Sequence, residues 1–139
     1  MSADQTISST DARIVARLQE SLPGVQAVYR YGSAGSAYER PDSDIDLAVL
    51  LAAPLAFSRL NQIAADLAQL TGRDIDLNDM RRLPVTLRVQ IVTQGVRLFA
   101  ASHAAAEEYD SRVLSDYVYL NEARRGIIED VRSRGSIHG

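Results

Sequence analysis

Asp44-Ile45-Asp46 runs directly into the apolar stretch LAVLL, Leu47 to Leu51. Side chains alternate between faces along a strand, so Asp44 and Asp46 share one face while Ile45 and Leu47 take the other. A strand that is apolar without interruption is one covered on both faces. This segment therefore demands a layered α/β fold, with a buried sheet and two carboxylates at its mouth. Upstream lies Gly32-Ser33, separated from Asp44 by ten residues. Glycine lets the backbone approach a ligand closely. A serine hydroxyl, with the amides of a turn or helix start, holds phosphate oxygens. The combination is suited to gripping a divalent metal against a triphosphate.

The rest of the composition narrows the field. The chain has 139 residues, enough for one domain with a real core and too few for two. Its formal net charge is −3, which disfavours broad nucleic-acid binding, since that needs a basic surface. Cysteine is absent, which removes disulfides, thiolate nucleophiles and Cys-ligated zinc. The start of the chain has no charged segment followed by an apolar run, and no apolar stretch is long enough to span a bilayer. A cytoplasmic address with no membrane binding is the expectation. All fifteen basic residues are arginine. A P-loop lysine and a Schiff-base lysine are thus excluded, and a phosphate site must use amides, hydroxyls, arginine or metal.

Periodicity orders the elements. Ser9 or Thr10 can cap a helix carrying Ile14, Leu18 and Leu22. Val25 to Tyr31 reads as a strand with Val25, Ala27 and Tyr29 on one side, and Asp44 to Leu51 as a second. Gly32 to Ala37 forms a turn that leads into a short helix. Pro54 opens a helix with Leu60, Ile63, Ala64 and Leu67, which ends at Thr71-Gly72. Arg73 to Asn78 alternates as a third strand. Leu83 to Gln94 is helical, with Val85, Val89 and Val92 on one face, and Val96 to Phe99 is a fourth strand. Ser102 to Arg134 is one long helix with Val113, Tyr117, Leu120, Ile127 and Val131 in a stripe, widened by Tyr109, Leu114 and Val118. The expected domain spans residues 11–134, with a core at about 25–99 and flexible termini at 1–10 and 135–139. Thirty helical residues reach about 45 Å, whereas a domain of this size is about 30 Å across. Part of the last helix is expected to pack on another chain.

Asp76 sits in the third strand between Ile75 and Leu77. If the second and third strands are neighbours, Asp76 joins Asp44 and Asp46. Asp42 and Asp74 fall on the same alternations. Asp42 follows a proline in a turn, and Asp74 lies less far into its strand. Two carboxylates about 4 Å apart at an effective dielectric near 20 repel by roughly 4 kcal/mol; a cation relieves this. Mg²⁺ prefers oxygen ligands and shares its shell with substrate phosphates. Arg40, in the loop between the Gly-Ser pair and the acids, has the reach to meet phosphate. Gly35-Ser36 forms a second Gly-Ser pair in that loop.

On these residues the chain resembles the nucleotidyltransferases of the DNA polymerase β superfamily. Gly32 and Ser33 match the family's G-S, Asp44 and Asp46 its D-x-D, and Asp76 its third carboxylate. More narrowly, the chain resembles the minimal nucleotidyltransferase antitoxins of the MntA type, which are paired with HEPN toxins. The GSx10DxD spacing and the stretches PDSDIDLAVL and VTQGVRLF carry that likeness over roughly Val25 to Phe99. The resemblance implies a polymerase β-like fold, a small mixed sheet flanked by helices, with a long C-terminal helix. It also implies ATP as substrate, Mg²⁺ as cofactor, and AMP transfer to a tyrosine of a HEPN ribonuclease partner. By that analogy Asp44, Asp46 and Asp76 are catalytic and metal-binding, with Asp76 near the acceptor hydroxyl, and Gly32, Ser33 and Arg40 bind nucleotide. Arg30-Tyr31 departs from the pattern, because many members carry two apolar residues there. Two other functions compete: a non-catalytic antitoxin acting by occlusion, and an antibiotic-type nucleotidyltransferase that borrows its acceptor site from a helical subunit.

Overall fold

The computed structural model describes residues 7–32 and 44–138, with side chains to residue 128. The loop carrying Ser33, Arg40 and Asp42, and with it the expected short helix, lies outside the described residues. The elements run α1 (Ser9–Ser21), β1 (Ala27–Tyr31), β2 (Ile45–Leu50), α2 (Phe57–Thr71), β3 (Ile75–Asp79), a 3₁₀ turn (Met80–Arg82), α3 (Val85–Gln94), β4 (Val96–Ala100) and α4 (His103–His138).

The four strands form one sheet in the order β3-β2-β1-β4. β1 is antiparallel to both β2 and β4, while β2 and β3 run parallel. A parallel pair needs a crossover, and α2 supplies it. The sheet has a core on each side. Val28, Ile45, Leu47, Val49, Leu77 and Leu98 pack with Ile14 and Leu18 of α1 and Leu60, Ile63 and Leu67 of α2. Ala27, Tyr29, Ala48 and Leu50 pack with Met80, Ile91 of α3, and Tyr109 and Val113 of α4. The uninterrupted apolar run of β2 is therefore covered on both faces.

Several boundaries differ from the sequence reading. The α1 cap is Ser8, whose hydroxyl accepts from the Asp11 amide at 3.1 Å, rather than Ser9 or Thr10. Val25 precedes β1 and packs with α1 and α2, on the opposite side from Ala27 and Tyr29. Pro54 does not open α2. The chain stays extended to Ala56, which caps the helix without a side-chain hydrogen bond. In α3 the buried anchor is Ile91 rather than the valine stripe.

α4 continues to His138, beyond Arg134. Asp110 ties its start to the sheet, accepting from Tyr29 Oη at 2.7 Å and from Arg97 Nη1 at 2.9 Å. A register shift in the β1–β4 pairing puts Arg97 opposite Tyr29. Of the expected α4 stripe, Tyr109 and Val113 are buried, joined by Ala106, while Leu114, Val118 and Ile127 are exposed. At 1.5 Å per residue this helix is about 54 Å long, more than the sheet can cover. Among the described residues, no helix is long and apolar enough to cross a membrane.

Candidate active site

β1 ends and β2 and β3 begin at one edge of the sheet, and the acids gather there. In the parallel β2–β3 ladder, Asp46 is the register partner of Asp76. Across the antiparallel β1–β2 ladder, Tyr31 is the partner of Asp46. Alternation puts Asp46, Asp76 and Tyr31 on the α3/α4 side of the sheet, since Ala48 and Tyr29, two residues from Asp46 and Tyr31, lie in that core. Asp44 falls on the same alternation, one residue before β2, and is exposed. Asp74 lies just before β3, where its carbonyl accepts from the Ile45 amide at 2.9 Å.

The electrostatics follow from this stacking. Asp46 is half-buried, and its pKa is raised, first by burial and then by the charges of Asp76 and Asp44. The Arg30 guanidinium offsets part of that rise. Among the described residues, no hydrogen bond or ion pair is made to the carboxylates of Asp44, Asp46 or Asp76. Likewise, no group of three acidic or imidazole side chains among them is arranged to hold a metal. The pair is the relevant unit. Mg²⁺ is usually bound through one or two carboxylates, with water and substrate phosphates completing its shell. Two hard oxygen donors side by side, under mutual repulsion and with no partner among the described residues, fit that ion.

Gly32 closes the other side. Its φ is 75°, in the left-handed region, and a Cβ there would collide with the Asp46 carboxylate. Both constraints select glycine. The first residue of the Gly-Ser pair is thus pressed against the carboxylate opposite Asp76. Ser33 and Arg40, the other sequence candidates for nucleotide contact, lie outside the described residues.

Two neighbours were not among the sequence candidates. The Asn78 amide donates to Tyr31 Oη at 3.0 Å. The Tyr31 phenol is pushed up to about 12, mainly by burial, with the Asp76 and Asp46 charges adding and the Asn78 hydrogen bond opposing. The available signal was the alternation itself: Asn78 follows Asp76 by two residues, as Tyr31 follows Tyr29. Arg30 is turned to the α1 side, where its Nη1 donates to Asp11 Oδ1 at 2.8 Å. It thus lies on the face opposite Tyr31 and Asp46, although its charge still reaches the Asp46 carboxylate. His103 starts α4, just after the β4 end that pairs with Ala27, at the opposite edge of the sheet from Asp46.

The chain is similar to known proteins of one family. Residues 13–104 match the family model described as polymerase beta, nucleotidyltransferase. The chain is 34% identical over 119 residues to the protein adenylyltransferase MntA of Shewanella oneidensis, covering 86% of this chain and 85% of that protein. A crystal structure of a toxin-antitoxin with AMP-PNP superposes with a TM-score of 0.77 at 33% identity, over 87% of this chain and 97% of the other. A tri-AMPylated Shewanella oneidensis HEPN toxin in complex with its MNT antitoxin gives a TM-score of 0.74 at 33% identity, over 88% and 95% of the two chains. Family model and relative converge: this chain belongs to the polymerase beta nucleotidyltransferases, in the branch of the MntA protein adenylyltransferases.

Proposed function

We propose that the chain is an antitoxin that transfers AMP from ATP to a tyrosine of a cognate HEPN toxin and so neutralises it. The observation that carries this reading is the register pairing of Asp46 with Asp76 beside Gly32, in a member of the MntA family. Asp46 and Asp76 would hold Mg²⁺, with Asp44 at the strand entrance adding its charge to the site. When bound, Mg²⁺ neutralises the acids and polarises the α-phosphate. Gly32 and Ser33 hold the triphosphate through amides and hydroxyl, and Arg40 adds a cation to it.

By family analogy Asp76, the more exposed member of the pair, is the acid nearer the incoming acceptor. The tyrosine hydroxyl gives its proton toward Asp76. Its oxygen then bonds to the α-phosphorus, the bond from that phosphorus to the bridging oxygen breaks, and pyrophosphate departs. Most of the rate enhancement is positioning and charge neutralisation rather than covalent chemistry of the protein. The outer reach of α4, with Leu114, Val118, Tyr119, Ile127 and Ile128 exposed, offers apolar surface to the partner.

The test is labelled ATP, Mg²⁺, the chain and its HEPN partner. The double variant Asp44→Asn with Asp46→Asn is expected to lower transfer by more than the roughly 100-fold seen when residues merely supporting a metal site are lost. Undiminished labelling by a folded double variant would refute the site. An unlabelled yet fully inhibited partner with the wild-type chain would favour occlusion.

A further inference from the structure

We infer that the cleft beside Gly32, on the α3 side, receives the nucleobase of the donor nucleotide, and that Gln90 and Gln94 select adenine by reading its edge. This rests on the nucleotidyl-transfer reading above. The cleft is lined by Tyr31, Gly32, Leu87, Gln90, Gln94 and Gly95 and measures about 250 Å³. Whole-ligand pockets run to about 300–1,000 Å³, so this one suits a fragment. Gly32, which lines it, also abuts the Asp46 carboxylate.

The described lining disfavours phosphate as that fragment. The named lining residues carry no charge. The C-terminus of α3 closes the cleft at Gln94 and Gly95, and a helix C-terminus carries partial negative charge that disfavours an anion. A neutral heteroaromatic ring meets no such penalty. Leu87, Gln90 and Gln94 lie three and four residues apart, on one face of α3. They supply an apolar contact and two carboxamides, each with an acceptor and two donors. Tyr31 adds an aromatic wall, its hydroxyl held by Asn78. Gly95 permits the closure. A Cβ there would stand 2.7 Å from the Ile91 carbonyl oxygen and 2.8 Å from that of Arg30, so a side chain would push α3 away from the end of β1.

A carboxamide pairs with adenine bidentately, accepting from N6 and donating to N7. One good pair discriminates between bases by roughly 5- to 100-fold. The experiment measures binding of ATP, GTP, CTP, UTP and inorganic triphosphate to the full chain with Mg²⁺, by titration, without any acceptor. The wild type is expected to prefer ATP. Gln90→Leu with Gln94→Leu is expected to weaken ATP by roughly 5- to 100-fold and erase the preference, while inorganic triphosphate, which has no base, binds as before.

The single variant Gln90→Glu, at an exposed position, keeps an acceptor but loses the donor. Losing the bond to N7, it should weaken ATP relative to inorganic triphosphate even if the double variant folds poorly. An ATP preference retained in the double variant, an unchanged ratio of ATP to inorganic triphosphate binding in Gln90→Glu, or equal binding of all four nucleotides by the wild type, overturns the assignment. A wild type that binds no nucleotide at all instead defeats the transfer reading itself, and the base pocket with it.

Discussion

Arg30 and Asp46 stand on neighbouring strands, close to the same edge of the sheet but on opposite faces. Arg30 looks into the α1/α2 side. There its guanidinium, with 9% of the side chain exposed, meets Asp11, at 13%, across 2.8 Å. Asp46 looks into the α3/α4 side and meets another acid, Asp76. On one face a charge is buried and answered. On the other, like charges are stacked and left for something from outside to answer. A sheet can tolerate the second arrangement because the first, with the aliphatic core around it, holds the strands in place. The α1/α2 face buries its charge in a pair, while the α3/α4 face carries the stacked acids at the end of its own apolar core.

Breaking the answered charge is the largest expected perturbation. Arg30→Met removes one partner of a buried pair and strands Asp11, so about 3–5 kcal/mol of stability should be lost, read as a lower denaturant midpoint. Adding Asp11→Ala should recover part of it, and full additivity of the two losses would deny the coupling. A smaller effect is expected from Gly32→Ala, which forces a non-glycine residue into the left-handed region at about 1–2 kcal/mol and pushes on the Asp46 carboxylate. Melting temperature and AMP transfer should fall together; a variant with unchanged transfer would show that Gly32 does not set the Asp46 position.

The smallest effect sharpens the contrast, because its sign is opposite. Asp46→Asn removes a repelled charge, so without metal or nucleotide it should gain stability, by less than about 1 kcal/mol once solvent screening of a half-buried group is allowed for. The sign follows from linkage. A carboxyl whose folded pKa is raised binds protons more tightly in the native state, so the wild type loses stability as pH rises through that pKa. The advantage of the variant should be full at neutral pH and shrink as pH falls through the Asp46 pKa toward the ordinary carboxylate range. Thermal melts across that range would settle it, and a variant less stable than wild type at neutral pH would mean that Asp46 is already compensated.

Which parts were legible beforehand follows the range of the physics. Asp44 and Asp46 on one face, the doubly covered β2 and the Gly72 stop of α2 are local consequences of alternation, apolarity and backbone freedom. The meeting of Asp46 with Asp76 was conditional, since strand adjacency and direction depend on the α2 crossover. Helix starts are illegible where several residues, or none, offer a capping group. Ser8, Ser9 and Thr10 all offer a hydroxyl, and Ala56 offers none. The α4 stripe was read from apolarity alone, which counts Leu114 and Ile127 equally with Val113. Only the fold reveals that the sheet ends before the helix does. Gln90 and Gln94 gave no signal, because two polar residues on a helix become a recognition surface only when a strand end closes beside them.

The parallel ladder of β2 and β3 has one more bearing. Ile45 and Ile75 are partners, then Asp46 and Asp76, then Leu47 and Leu77. A slip of β3 by a single residue would send Asp76 to the reverse side and bring an isoleucine or leucine to Asp46 instead. Such a slip would also drag a carboxylate into the aliphatic interior under α2. The alignment of the acids is thus inherited from greasy side chains on the reverse side of the sheet, and it holds so long as those residues stay in step.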